Sequence, residues 1–153
     1  MYTKEQASKV KQEFWTRFGK YMQPLASAEG TKVNWINYKT GIPNLYFRMN
    51  ATRDDAGISI DIMHKDPEFA QKLYEQFVLL RPMLEEQTGE AWEWHALCEN
   101  EHGQALSRIC KTAAPLNVFK ETDWPSIISF LKPRIMALDA FWSEYKMVFE
   151  MIG

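Results

Sequence analysis

Apolar residues recur at three- and four-residue steps from Ala7 through Val10, Phe14 and Phe18 to Tyr21, which predicts an amphipathic helix. Thr3 with Gln6 forms a capping-box start, and Pro24 stands just beyond the end. The outer face carries Lys9, Glu13 and Arg17, alternating in sign as a solvated face does. After Gly30, the run Val33-Asn34-Trp35-Ile36 predicts a short strand closed by Gly41 and Pro43.

The period then drops to two. Phe47, Met49 and Ala51 alternate with Tyr46, Arg48 and Asn50, and Ile58, Ile60 and Ile62 alternate with Ser59, Asp61 and Met63. A turn through Arg53-Asp54-Asp55-Ala56 pairs Phe47 with Ile62, Met49 with Ile60, and Ala51 with Ile58. It also sets Arg48 opposite Asp61 on the other face. A one-residue slip would oppose apolar and polar side chains, so the parity is well specified.

Asp66-Pro67 reads as an N-cap followed by a proline at the first helical position, with Phe69, Leu73, Phe77, Leu80 and Leu84 as the apolar stripe. Thr88-Gly89 ends this helix, and Pro82 inside it removes a backbone bond or bends it. Residues 91–97 and 104–110 predict a second hairpin turning through Asn100 to Gly103. Asp123 caps a last helix whose stripe is Ile127, Leu131, Leu138, Phe141, Trp142, Tyr145 and Phe149. Arg134 falls within that stripe on a straight helix. Either Pro133 rephases the helix, the preferred reading, or the arginine is partly buried beside an acid. The order is α-β-β-β-α-β-β-α, an α+β fold with helices packed on a mainly antiparallel sheet, in one domain over residues 1–153.

Composition narrows the class. Of 153 residues, 46% are hydrophobic, enough for a packed core, and the net charge of −2 excludes a broadly basic nucleic-acid binder. The charge is uneven: residues 1–53 are net +6, 54–101 net −9 and the rest net +1. In a compact domain the basic third is expected to face the acidic middle. No apolar leader opens the chain and no apolar run approaches the ~20 residues that cross a bilayer. With two cysteines only, a reducing cytoplasm is the expected location, and no membrane contact is expected.

Phe14-Trp15, Ile60-Asp61-Ile62, Gly89 leading to Trp94, Arg108-Ile109 and Asp123-Trp124 together resemble an uncharacterised bacterial family, a domain of unknown function. In longer proteins that family often follows a restriction-nuclease-like part. The resemblance covers nearly the whole chain and implies a DNA-processing or defence context, with no catalytic residues to carry over.

Three constellations bear on chemistry. His95, Cys98, His102 and Cys110 have the residue types of a zinc site. On a strand, however, His95 and Cys98 point to opposite faces, and Cys110 lies roughly 17 Å from Cys98 along the hairpin, so neither a shared metal nor a disulfide is expected. The strand order also matches PD-(D/E)XK nucleases, with Asp55 and Asp61 as the two acids. The position of the lysine that orients water is Met63, leaving Lys65 to reach in from the strand end. Finally, Trp92 and Trp94 share a strand face with Arg108 beside Trp94, an aromatic platform if open and core if covered.

No phosphate-binding loop, nucleophile elbow or metalloprotease motif is present. The expected function is therefore non-enzymatic, without cofactor: binding to another protein, or to itself as a homodimer. The motive is an excess of aromatics (21) and methionines (8), residue types enriched at interfaces. The alternative is a nucleic-acid-associated domain related to PD-(D/E)XK nucleases, without activity. A third reading, a small-ligand domain, expects a cavity lined by tryptophans.

Overall fold

The computed structural model describes residues 2–152. Helix α1 (Lys4–Met22) starts on the expected capping box, the Thr3 side chain accepting from the Gln6 N–H and the Gln6 side chain from the Thr3 N–H. Strands β1 (Leu45–Ala51) and β2 (Ala56–Met63) form the first hairpin. Helices α2 (Pro67–Leu79) and α3 (Arg81–Thr88) follow, then the hairpin of β3 (Glu93–Glu99) and β4 (Ala105–Ala113). One 3-10 turn leads into α4 (Trp124–Glu150), which runs through Pro133. The class is α+β, with one four-stranded antiparallel sheet in the order β1-β2-β4-β3.

Ile58, Ile60 and Ile62 of the central β2 turn to the helical side, where α4 and α2 cover them. Phe47, Ile109, Leu73, Phe77, Leu138, Phe141 and Trp142 complete that core. α1 packs against α4 through Phe14, whose ring lies 5.5 Å from that of Trp124. Among the described residues, the other sheet face carries the side chains of Arg48, Asp61 and Arg108 and is left open around them.

Several expectations need correction. Residues 33–36 are not a strand. The Asn34 side chain accepts from the Ile36 and Asn37 N–H groups, and the Trp35 indole donates to the Leu25 carbonyl. Polar groups that a sheet ladder would use are thus satisfied locally, inside a long irregular segment over 23–44. The observed order is accordingly α-β-β-α-α-β-β-α. The second helix also divides: Leu80 leaves helical geometry (ψ 7°), and Pro82 falls in the first turn of α3, where its missing N–H costs nothing. Gly89, in the left-handed region at φ 75°, ends α3 as expected.

The β1–β2 register is displaced by two residues. Phe47 faces Ile60, Met49 faces Ile58, and Arg48 faces Ser59. The hairpin closes tightly, the Thr52 N–H donating to the Asp55 carbonyl at 2.8 Å, so only Arg53 and Asp54 form its tip. Parity is unaffected by an even shift, and the isoleucines stay inside.

Along α4, Ile135 rather than Arg134 continues the stripe through Ile127, Leu131 and Leu138. Arg134 is half-buried at the flank, its Nε and Nη2 2.7 and 3.0 Å from the Glu90 carboxylate and its Nη1 2.8 Å from the Phe130 carbonyl. Of the two readings, burial beside an acid describes this arginine.

Candidate functional site

Asp61 alternates with Ile60 and Ile62, so its side chain emerges on the uncovered sheet face. Arg108 stands directly across on β4 and clamps it bidentately, Nε to Oδ1 at 2.7 Å and Nη2 to Oδ2 at 2.9 Å. Arg48 reaches it diagonally from β1, Nη1 to Oδ2 at 3.3 Å, while its guanidinium also lies 4.2 Å from the Tyr46 ring centre. Asp61 is consequently 0% exposed on an open face. The hydrogen bond to Asp61 pushes the Arg108 pKa further up. Around this triad the face is dished into a depression of about 520 Å³, walled at one end by Asn100, His102 and Gln104 of the β3–β4 turn.

The nuclease residues do not converge. Asp55 sits at the hairpin turn, accepting from the Thr52 hydroxyl at 2.8 Å. It is six residues from Asp61, roughly 20 Å along an extended chain, and Lys65 lies beyond the opposite strand end. Two guanidinium groups occupy the flanks of Asp61, where cleavage would call for a divalent cation.

In the β3–β4 hairpin, His95 faces Arg108 and Cys98 faces Leu106, with a bulge between them. That extra residue turns both side chains to the open face, not to opposite faces as the spacing alone suggests. Cys110, facing Glu93, is four residues along β4 from Leu106, roughly 13 Å. Both cysteines are free thiols, and burial pushes both thiol pKa values up. Among the described residues, no three His, Cys, Asp or Glu side chains gather as metal ligands, and no helix is long and apolar enough to cross a membrane.

The structure does not bring Arg108 to Trp94. Trp94 faces Ile109, one residue away from the expected pairing, and one residue exchanges the faces. On the helical side, Trp94 meets the Tyr74 ring edge-on at 6.1 Å, and Arg81 lies 5.2 Å from its ring centre. Trp92 is buried and donates to the Thr88 hydroxyl.

The aromatic excess is absorbed by the core: of the aromatic residues, Tyr2, Tyr21 and Tyr46 stand out as exposed. Exposed aliphatic and thioether side chains stand instead on the end of α2, the start of α3 and the end of α4. The Phe77 and Phe149 rings, 4.4 Å apart, join the end of α2 to the end of α4, and Glu86 of α3 is near enough to Tyr145 to help raise its pKa, after burial and Glu144. Val78, Leu79 and Met83 on one side of this junction, and Met147, Val148 and Met151 on the other, are all exposed, Leu79 at 72% and Met147 at 73%.

Residues 10–146 match the model of a family described as Domain of unknown function (DUF4268). The chain belongs to this family. No curated protein and no solved structure matches it. The DUF4268 match covers the sheet, the triad and most of α4.

Sequence reasoning passed over two features of this DUF4268 domain. One is the exposed apolar set just described. The other is Asp139, on the buried side of α4 and 3% exposed, which accepts from the Ala28 N–H at 2.7 Å and the Tyr38 hydroxyl at 2.5 Å and so holds the 23–44 segment to the helix. The signal for it was available: an aspartate between Leu138 and Phe141 must find donors.

Proposed function

We propose that this DUF4268 domain is a non-catalytic protein-binding module that associates with a second copy of itself. What supports the reading is a set of six exposed aliphatic or thioether side chains carried by the end of α2, the start of α3 and the end of α4 with its C-cap. Leaving them in water forgoes about 25 cal/mol for each Å² a partner would cover. Three of the six have the flexible, polarisable character suited to imperfectly matched surfaces, two being the terminal-turn methionines Met147 and Met151 and one Met83. Exposed Arg81 and Glu150 stand among these positions, charges of opposite sign that an isologous contact of one surface with itself can pair.

Sedimentation across a concentration series tests it. The 18.0 kDa chain is expected to move from monomer to dimer mass in the micromolar range, and the Leu79→Glu and Met147→Glu variants to stay monomeric with an unchanged thermal midpoint. A wild-type chain that remains monomeric at the highest soluble concentration overturns the proposal. Variants that dimerise like the wild type overturn it equally.

A further inference from the structure

The four-stranded sheet has two edges, and their surroundings differ. At β1 the 23–44 segment lies alongside: the Thr40 hydroxyl donates to the Leu45 carbonyl at 2.9 Å, and the Tyr38 ring stacks on Phe47 at 5.2 Å. At β3 no segment takes that place. Trp94 and Cys98 are half-buried, the other five residues of the strand are exposed, and Leu97 stands 71% in solvent. Among the described residues, no backbone hydrogen bond joins β3 to any strand or loop other than β4. Such an edge offers a row of N–H and C=O groups to which a further strand can pair. Its bulge is held from within, the Ser107 hydroxyl donating to the Ala96 carbonyl while His64 Nε2 lies 2.8 Å from the same hydroxyl oxygen.

Charge decides which strand suits this edge. The basic first third does not cancel the acidic middle as expected: of its residues, Arg48 alone makes an ion pair there, to Asp61. Arg108 shares Asp61, Arg134 and Lys111 take Glu90, and Lys72 and Arg81 meet Glu68 and Glu85 along their own helices. Glu93 and Glu99, at the two ends of β3, meet no lysine or arginine among the described residues; Glu93 has the His95 imidazole at 3.9 Å. Exposed Glu101 extends the acidic line into the turn. A second copy pairing antiparallel along this edge would bring Glu93 of one chain toward Glu99 of the other at both ends, and like charges across a ladder repel. A strand with basic residues at its ends meets attraction at the same two places. The acids thus guard the edge against copies of this chain and leave it open to a cationic strand.

We propose that β3 takes up an extended segment of a basic partner protein as a fifth strand of the sheet. Main-chain bonds to the free edge would supply the affinity, and lysine or arginine near Glu93 and Glu99 the choice of partner, with an apolar side chain beside Leu97. This concerns a different element and a different partner from the self-association proposed above, and neither rests on the other.

A seven-residue peptide, the length of β3, serves as the probe: acetylated and amidated, with lysine at both ends and threonine and valine alternating between them. Titrated into the isotopically labelled chain, it is expected to shift the amide resonances of residues 93–99 and to slow their hydrogen exchange. The same peptide ending in glutamates should bind about tenfold more weakly, and the Glu93→Lys/Glu99→Lys variant should reverse that preference. Two further peptides, N-methylated on one or the other alternate set of residues, separate backbone pairing from simple charge attraction. A strand pairs through one edge, so one of them should bind and the other should not. No binding of the lysine peptide at millimolar concentration overturns the proposal. So do shifts centred outside β3, equal behaviour of the two methylated peptides, or a preference that the charge-reversed variant leaves unchanged.

Discussion

Replacing Asp61 by alanine removes a carboxylate that is 0% exposed and accepts three N–H bonds from two arginines. Deleting one partner of a buried pair costs roughly 3–5 kcal/mol when the orphaned charge stays buried. Here the orphans regain water, because the Arg108 and Arg48 side chains are 32% and 46% exposed. The discounted loss is about 2–3 kcal/mol, or about 4–12 °C in thermal midpoint for a chain of this size. Arg108→Met leaves the buried carboxylate facing only the long Arg48 contact and should cost as much or more. Arg48→Met removes one exposed 3.3 Å bond and should cost under about 1 kcal/mol. Urea unfolding followed by circular dichroism measures all three, and the Asp61→Ala/Arg108→Met double variant should lose less than the two singles summed. A wild-type-like Asp61→Ala variant, or an Arg48→Met variant as damaged as Arg108→Met, would refute the structural assignment of the triad. Asp61 would then be free for a role in chemistry.

Two further outcomes follow from titration. Burial, together with the hydrogen bond to Asp139, pushes the Tyr38 hydroxyl pKa well above its ordinary value, so the folded chain keeps that proton after the unfolded chain has lost it. Stability contributed by neutral Tyr38 is therefore complete below the unfolded pKa of about 10 and falls as pH rises beyond it. Urea unfolding from pH about 8 to about 11 should show a steeper decline for the wild type than for Tyr38→Phe, and equal slopes would contradict the buried bond. Burial likewise raises the Cys98 and Cys110 thiols, the latter helped by Glu93, so thiolate is scarce at neutral pH. Both should react slowly with a chromogenic disulfide reagent in native buffer and rapidly in urea, and the fully oxidised chain should show no Cys98–Cys110 cross-link.

How much of this the sequence disclosed depends on which physical rule was acting. Alternation fixes parity, so the inward isoleucines and outward Asp61 of β2 were readable, and so was its contact with Arg48. Alternation says nothing about an even shift; the tip residues Arg53 and Asp54 decide that, and several tight turns suit them. At β3 the rule weakens because this edge strand is exposed on most of its length and bulged between His95 and Cys98, so an odd error moved Arg108 to the wrong face. Arg108 thereby left the tryptophans and became the main partner of Asp61, a non-local pairing across β2 and β4 that no hairpin rule supplies.

The 23–44 segment shows why the functional candidates were harder to see than the fold. Val33-Asn34-Trp35-Ile36 has strand-like composition, and its apolar members do become buried or half-buried, but through docking on helices instead of pairing in the sheet. A connection of that length without regular structure is uncommon in a compact domain and is most often functional. It needs an anchor, and Asp139 provides one from more than a hundred positions away along the chain. The same α4 face then delivers Lys146 beside the lysines of the segment. In the linear sequence these are scattered surface charges, and only closure of the segment over α4 makes them a cluster. Charge excess per segment was legible from the residues alone. Where that excess ends up was not, because the lysines share their cavity with Glu29 and Asp139 while Arg108, Arg134 and Lys111 take acids of the middle third.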